Sequence, residues 1–166
     1  MMIIIPIVVA VAAAGAAAAV LSSGSTPAKN FGPLGSAHEH AVFAVRLDGE
    51  QVDFSQSKYQ VRSQYIHVEN NDGTTLHRHA TNVPVGEFFK TVKMDIQNDC
   101  FIHDDGRSFC EDGTKMLRYY VNGEPRSSIM DYVLAENDRI LIIYGSESQE
   151  QIQAALDLLN ATSVRK

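Results

Sequence analysis

Short stretches of apolar–polar alternation carry five of the chain's six histidines, and alternation of that kind leaves few folds open. In a β-strand residues i and i+2 point to the same face, so a His-x-His pair lays two imidazoles side by side on one surface. Three patches qualify: His38-Glu39-His40, Tyr65-Ile66-His67 and His77-Arg78-His79. Around the first, Ala41, Phe43, Val45 and Leu47 form the apolar set, and His38 and His40 share the phase of Val42, Ala44 and Arg46. Around the second, Val61, Ile66 and Val68 are the apolar residues, which leaves Tyr65, His67 and Glu69 on the polar parity. In the third, Leu76 and Ala80 turn inward and leave Thr75, His77 and His79 together. Period alone therefore puts His38, His40, His67, His77 and His79 on the side of a sheet that does not make the main core. A β-bulge between the phase-setting residues and a histidine would invert a patch.

Imidazole nitrogen is a common ligand for zinc, copper, iron and nickel, and neutral histidine is available at ordinary pH. A single His-x-His pair reads as solvated polar surface. Two pairs and a fifth histidine in phase favour a transition-metal site made of His38, His40, His67, His77 and His79. A copper ion is the first expectation, because all-imidazole ligation suits Cu(II), and a zinc ion is the alternative. Glu69 and, less well placed by parity, Glu39 are the expected acceptors that orient imidazole N–H groups from outside the ligand set.

The 166 residues suffice for one domain plus an anchor. A net charge of -6 with scattered Lys and Arg disfavours nucleic acid as a partner, since phosphate binding needs a basic stripe. Residues 1–21 hold no charged side chain and are mostly Ile, Val and Ala. Such a run forms about 30 Å of helix, enough to span a bilayer. It serves equally as a signal peptide, although the usual basic start is missing. The reading favoured is an uncleaved transmembrane anchor at the cell membrane with the domain on the extracytoplasmic side; the alternative is secretion after cleavage. Residues 22–36, rich in Ser, Gly, Pro and Ala, read as a flexible linker, and residues 37–166 as the domain.

Cys100 and Cys110 are the only cysteines, and they flank a stretch with an Asp105-Gly106 turn. Folding that hairpin brings the sulfurs across from one another, and a disulfide there fits an oxidising compartment. Catalysis by these thiols is disfavoured, because exchange enzymes set two cysteines three apart at a helix N-terminus. Metal ligation by the cysteines, with His103 nearby, is a third reading.

The remaining pattern alternates strands and helices. A hairpin spans 41–54 about Asp48-Gly49, and strands follow over 59–69 and 74–80. Pro84 opens a helix with Val85, Phe88, Phe89 and Val92 inward, ending near Met94. Strands over 116–121 and 139–144 come next, the second apolar on both parities and so buried on both faces. Ser148 then starts a C-terminal helix with Gln151 at the capping-box position and Ile152, Ala155, Leu156 and Leu159 on its buried stripe. These elements make an α+β domain with one central and one C-terminal helix.

Tyr119-Tyr120-Val121-Asn122-Gly123-Glu124 and the segment Tyr132 to Ile140, behind a Thr-Thr before a short helix, resemble the β-grasp (ubiquitin-like) domain that ends transcobalamin-type proteins. That resemblance implies a β-grasp-like mixed sheet, with Asn137 where the family has Gly. The wider set, His38 to His40, Gly73 to His79, the Cys100–Cys110 stretch and Tyr120 to Glu124, resembles membrane-anchored archaeal and bacterial His-rich proteins often labelled protein-disulfide isomerase. It implies export. No C-x-x-C supports the isomerase label. The functional expectation is capture of a metal ion or its delivery to a membrane protein complex; enzymatic turnover is not expected. The alternatives are a thiol-disulfide oxidoreductase or isomerase acting through Cys100 and Cys110, and a structural interaction module of a membrane complex.

Overall fold

The computed structural model describes residues 30–166 as an α+β fold built on a mixed sheet, with two helices and a small second sheet. The chain runs β1 (Glu39–Leu47), β2 (Glu50–Gln51), β3 (Ile66–His67), β4 (Thr75–Arg78) and α1 (Val85–Thr91). Then come β5 (Asp95–Gln97), β6 (Cys100–Ile102), β7 (Ser108–Cys110), β8 (Met116–Val121), β9 (Glu124–Arg126), β10 (Arg139–Gly145) and α2 (Gln149–Ala161). The main sheet is ordered β3-β4-β1-β10-β8-β9, with β2 turning back on the end of β1. Its centre is the parallel pair β1 and β10, with Val42 opposite Arg139 and Leu47 opposite Tyr144; every other ladder is antiparallel.

Tight turns set the hairpins. Asp48 and Gly49 both have positive φ (53° and 84°), as do Asn122 and Gly123 (54° and 82°), the backbone that the right-handed twist of paired strands demands of a two-residue turn. Gly86 answers a different need. A Cβ there would lie 2.6 Å from the carbonyl oxygen of Met130, so only glycine lets α1 approach that segment.

Both faces of the sheet are covered. Ala41, Phe43, Val45 and Leu47 of β1 join Ile66, Leu76 and Ile142 in the larger core, which α1 enters through Val85, Phe88 and Phe89. The Phe88 ring packs on Phe43 and Phe54 at 5.4 and 5.3 Å between centroids. On the other face Val42, Leu141 and Ile143 meet Ile152, Ala155, Leu156 and Leu159 of α2. Ser148 caps that helix in a capping box with Gln151. The buried run Ile140 to Ile143 is thus shared between two cores.

Three local expectations change. The stretch 59–69 forms only the two residues of β3 and an isolated bridge from Gln60 to Val68. Val61 has a φ of 49° and is 57 % exposed, so it does not share the inward face of Ile66 and Val68. A loop forms instead because the Gln60 side chain supplies bonds that a strand would take from a neighbour: it donates to the Phe54 and Asp72 carbonyls and accepts from Asn71 N–H. The small sheet gains β5 through an Asn98-Asp99 turn, and α1 stops at Thr91.

The described part of the linker, residues 30–36, is held by the domain. Gly32 N–H donates to the Thr81 carbonyl at 2.9 Å and Gly35 N–H to the His79 carbonyl at 2.7 Å. Phe31 packs on Tyr65. The apolar segment 1–21 and residues 22–29 lie outside the described residues, among which no helix is long and apolar enough to cross a membrane.

Candidate metal centre

The register of three strands assembles the histidines. His40 of β1 pairs with His77 of β4, and His77 pairs with His67 of β3, a row of three imidazoles across neighbouring strands. Continuing the same ladder by two residues sets His38 beside His79. Facing residues in such a ladder sit about 4.5–5.5 Å apart, close enough for rings to touch. They do. Ring centroids lie 4.8 Å apart for His38 and His40, 4.9 Å for His38 and His79, and 4.8 Å for His40 and His77. The remaining contacts are 4.9 Å for His67 and His79, 5.9 Å for His67 and His77, and 6.3 Å for His77 and His79.

All five share the face of Val42 and Thr75, beyond the part that α2 covers. His40, His67 and His77 are only 7 %, 6 % and 3 % exposed, because the rings cover one another and the chain after α2 crosses beside them. There Arg165 N–H donates to Thr75 Oγ1 at 3.2 Å, and Lys166 Nζ pairs with Glu136 at 2.7 Å. His38 is exposed and His79 half-buried, so the cluster opens to solvent on one side.

Protein acceptors hold two of the rings. Glu136 Oε2 accepts from the His40 backbone N–H at 2.7 Å and lies 3.1 Å from His40 Nδ1. His67 Nδ1 sits 2.7 Å from the Ser63 carbonyl oxygen. Glu69 spans two strands, with Oε2 at 3.3 Å from His67 Nε2 and Oε1 at 3.8 Å from His77 Nδ1. Glu39 lies elsewhere: opposite Arg78 in the ladder, it approaches that guanidinium at 3.8 Å.

Electrostatics favour uncharged rings at the centre. Burial, reinforced by the neighbouring histidines and opposed by Glu69, lowers the His77 pKa to about 4, and burial lowers that of His79 as well. A neutral imidazole keeps the lone pair that a metal needs. The Lys166 ammonium, then the two N–H groups of His40, pull Glu136 down to about 2.

As the rings stand, His40 Nδ1, both His67 nitrogens and His77 Nδ1 face protein acceptors, and among the described residues no group of three or more His, Cys, Asp or Glu side chains is arranged to hold a metal ion. Spacing and chemistry nevertheless fit one. Two imidazoles on a tetrahedral ion at about 2.0–2.1 Å put their centroids roughly 5 Å apart, close to most of the separations above.

Cys100 and Cys110 form a disulfide across β6 and β7, where they are direct partners. That pair belongs to the small sheet. His103, in the same hairpin, is paired with Asp104 and Asp105 at 3.1 and 3.0 Å.

Sequence reasoning missed Glu136. It lies in the loop before β10, and only the placement of β10 beside β1 brings it to His40. Asp138 fixes that loop by accepting from Tyr132 Oη, Ala135 N–H and Asn122 Nδ2 at 2.6, 2.7 and 2.9 Å. Asn137 N–H then donates to the His40 carbonyl at 2.7 Å from a left-handed φ of 65°. No family model, curated protein or solved structure matches this chain.

Proposed function

We propose that the chain is a membrane-anchored, extracytoplasmic protein that binds one transition-metal ion on the face made by His38, His40, His67, His77 and His79. Copper is the first choice and zinc the second, and the role is capture or delivery of the ion. The observation that carries this reading is the contact of five imidazoles drawn from three strands, with His77 held neutral at its centre. Entry of the ion exchanges present hydrogen bonds for metal–nitrogen bonds. Glu136 and the Ser63 carbonyl remain as acceptors for the outer nitrogens of His40 and His67, the arrangement in which histidine ligands are ordinarily held.

Two further features support the setting. A cross-strand disulfide persists in oxidising compartments, which agrees with export. The β-grasp reading gains support from the strand order, in which the first and last long strands lie parallel at the centre, each flanked by an antiparallel neighbour. The left-handed Asn137 stands where that family has glycine, a substitution asparagine tolerates.

Calorimetry of the full chain in detergent with Cu(II), and separately with Zn(II), tests the proposal. The expected stoichiometry is about one, since roughly four donors close a site. His77→Ala combined with His79→Ala should abolish binding. Binding that survives the double variant unchanged would remove this site.

A further inference from the structure

We infer that residues 163–166 form a strap, latched by two ion pairs, whose closing beside the histidine face opposes metal binding. The inference rests on the metal-binding reading above and supplies that site's regulation.

The strap begins where α2 ends. Arg139 Nη1 donates to the carbonyls of Leu159 and Thr162 at 3.1 and 2.5 Å, which pins the chain against β10 as far as Thr162. Thr162 is extended (φ -74°, ψ 128°), so the chain leaves the helix there. Val164 packs against the smaller core, while Ser163 and Arg165 are exposed. Arg165 N–H then donates to Thr75 Oγ1 at 3.2 Å. Thr75 is two residues from His77 on the same face of β4, so the strap lies alongside the imidazole row.

Side chains latch it at both edges. Arg165 Nε lies 3.9 Å from Asp72 Oδ2, in the loop before β4, and Lys166 Nζ lies 2.7 Å from Glu136 Oε1, in the loop before β10. Asp72 is 4 % exposed and its Oδ2 accepts no hydrogen bond, so the Arg165 guanidinium is what compensates that buried oxygen. Closure is thereby favoured. Neither latch is strong, because the Arg165 and Lys166 side chains are 70 % and 64 % exposed and ion pairs so wet are worth little each. A strap held this way yields to an opposing charge.

A metal ion supplies one. Glu136 Oε2 accepts from the His40 backbone N–H at 2.7 Å and lies 3.1 Å from His40 Nδ1, so Lys166 stands one carboxylate away from a proposed ligand. Its ammonium repels a dication and also neutralises the carboxylate that would otherwise make His40 a better donor. Arg165 adds a second positive charge at the Thr75 end of the row. With the strap open, Glu136 bears on His40 without a competing cation. Binding and closing therefore work against one another, and by linkage each weakens the other by the same factor. Closing the strap then favours release, as delivery requires.

Hydrogen exchange and Zn(II) competition titrations, both on the full chain in detergent, test the inference. Saturating Zn(II) should speed amide exchange at residues 163–166 several-fold while α2 stays protected. Arg165→Gln with Lys166→Gln should tighten Zn(II) binding by about tenfold, the lower end of what a change around a ligand's outer partner produces. Salt at about 1 M should shrink that gain, since the charges removed are exposed to solvent. Slower or unchanged exchange on adding Zn(II), or a double variant that binds no more tightly, would overturn the strap while leaving the histidine site standing. A wild-type chain that binds neither Zn(II) nor Cu(II) would instead remove the metal-binding reading and the inference together.

Discussion

His77 is where a single proton should be felt most in the stability of the metal-free protein. Unfolded, its imidazole titrates near 6.5; folded, burial first and the adjacent histidines next hold it near 4, despite the pull of Glu69. Between those values the unfolded chain takes up a proton that the folded chain refuses. Stability is therefore complete above about 6.5, falls as pH drops toward 4, and suffers nothing more from this residue below that. His79 acts in the same direction. Urea denaturation with a chelator present should give a lower midpoint at pH 5 than at pH 7, and His77→Asn should flatten the difference. Equal midpoints for the wild-type chain would contradict the cause given. At this scale the facing of the histidines was legible in the sequence, because a period of two needs only the neighbours that set its phase. Glu136 was not legible, since its place at His40 depends on a strand pairing that no local pattern encodes.

Among the elements, α2 and the β6–β7 hairpin were readable because their signals are local. Ser148 and Gln151 cap the helix as their spacing predicts, and Ser148→Ala should cost about 1 kcal/mol in chemical denaturation. Loss well below that would mean that packing of the stripe alone fixes the helix start. The hairpin closes a disulfide at a sequence separation of 10. In the chain-entropy account a loop of that size contributes about 2–3 kcal/mol, so Cys100→Ser with Cys110→Ser should lower the thermal midpoint by several degrees. Metal titration of that variant should match the wild type, because the disulfide sits in the small sheet and the histidines in the large one. The expected strand over 59–69 failed where side-chain hydrogen bonds from Gln60 replaced a ladder. Composition does not announce that kind of substitution, and β5 escaped notice because its turn, Asn98-Asp99, lacks a glycine.

At the scale of the molecule, the α+β class followed from counting periods, whereas the order of strands did not, because pairing partners lie far apart in the chain. The sheet is a shared wall between two cores, and Ile142, fully buried at its centre, tests how much that wall carries. Ile142→Ala should cost about 2–5 kcal/mol, read from urea denaturation. A much smaller loss would mean that the larger core can collapse around the vacancy. The parallel pairing of β1 with β10 also dictates a timetable. Val42 finds Arg139 only after nearly the whole domain has been synthesised, so the central sheet stays open while its intermediate segments emerge. Contacts so distant in sequence slow folding, whereas the cystine hairpin needs only its own few residues. The cystine hairpin is thus positioned to close early, on a chain whose central sheet is still open. The histidine face, drawing on β1, β3 and β4 and steadied by the loop before β10, is completed last.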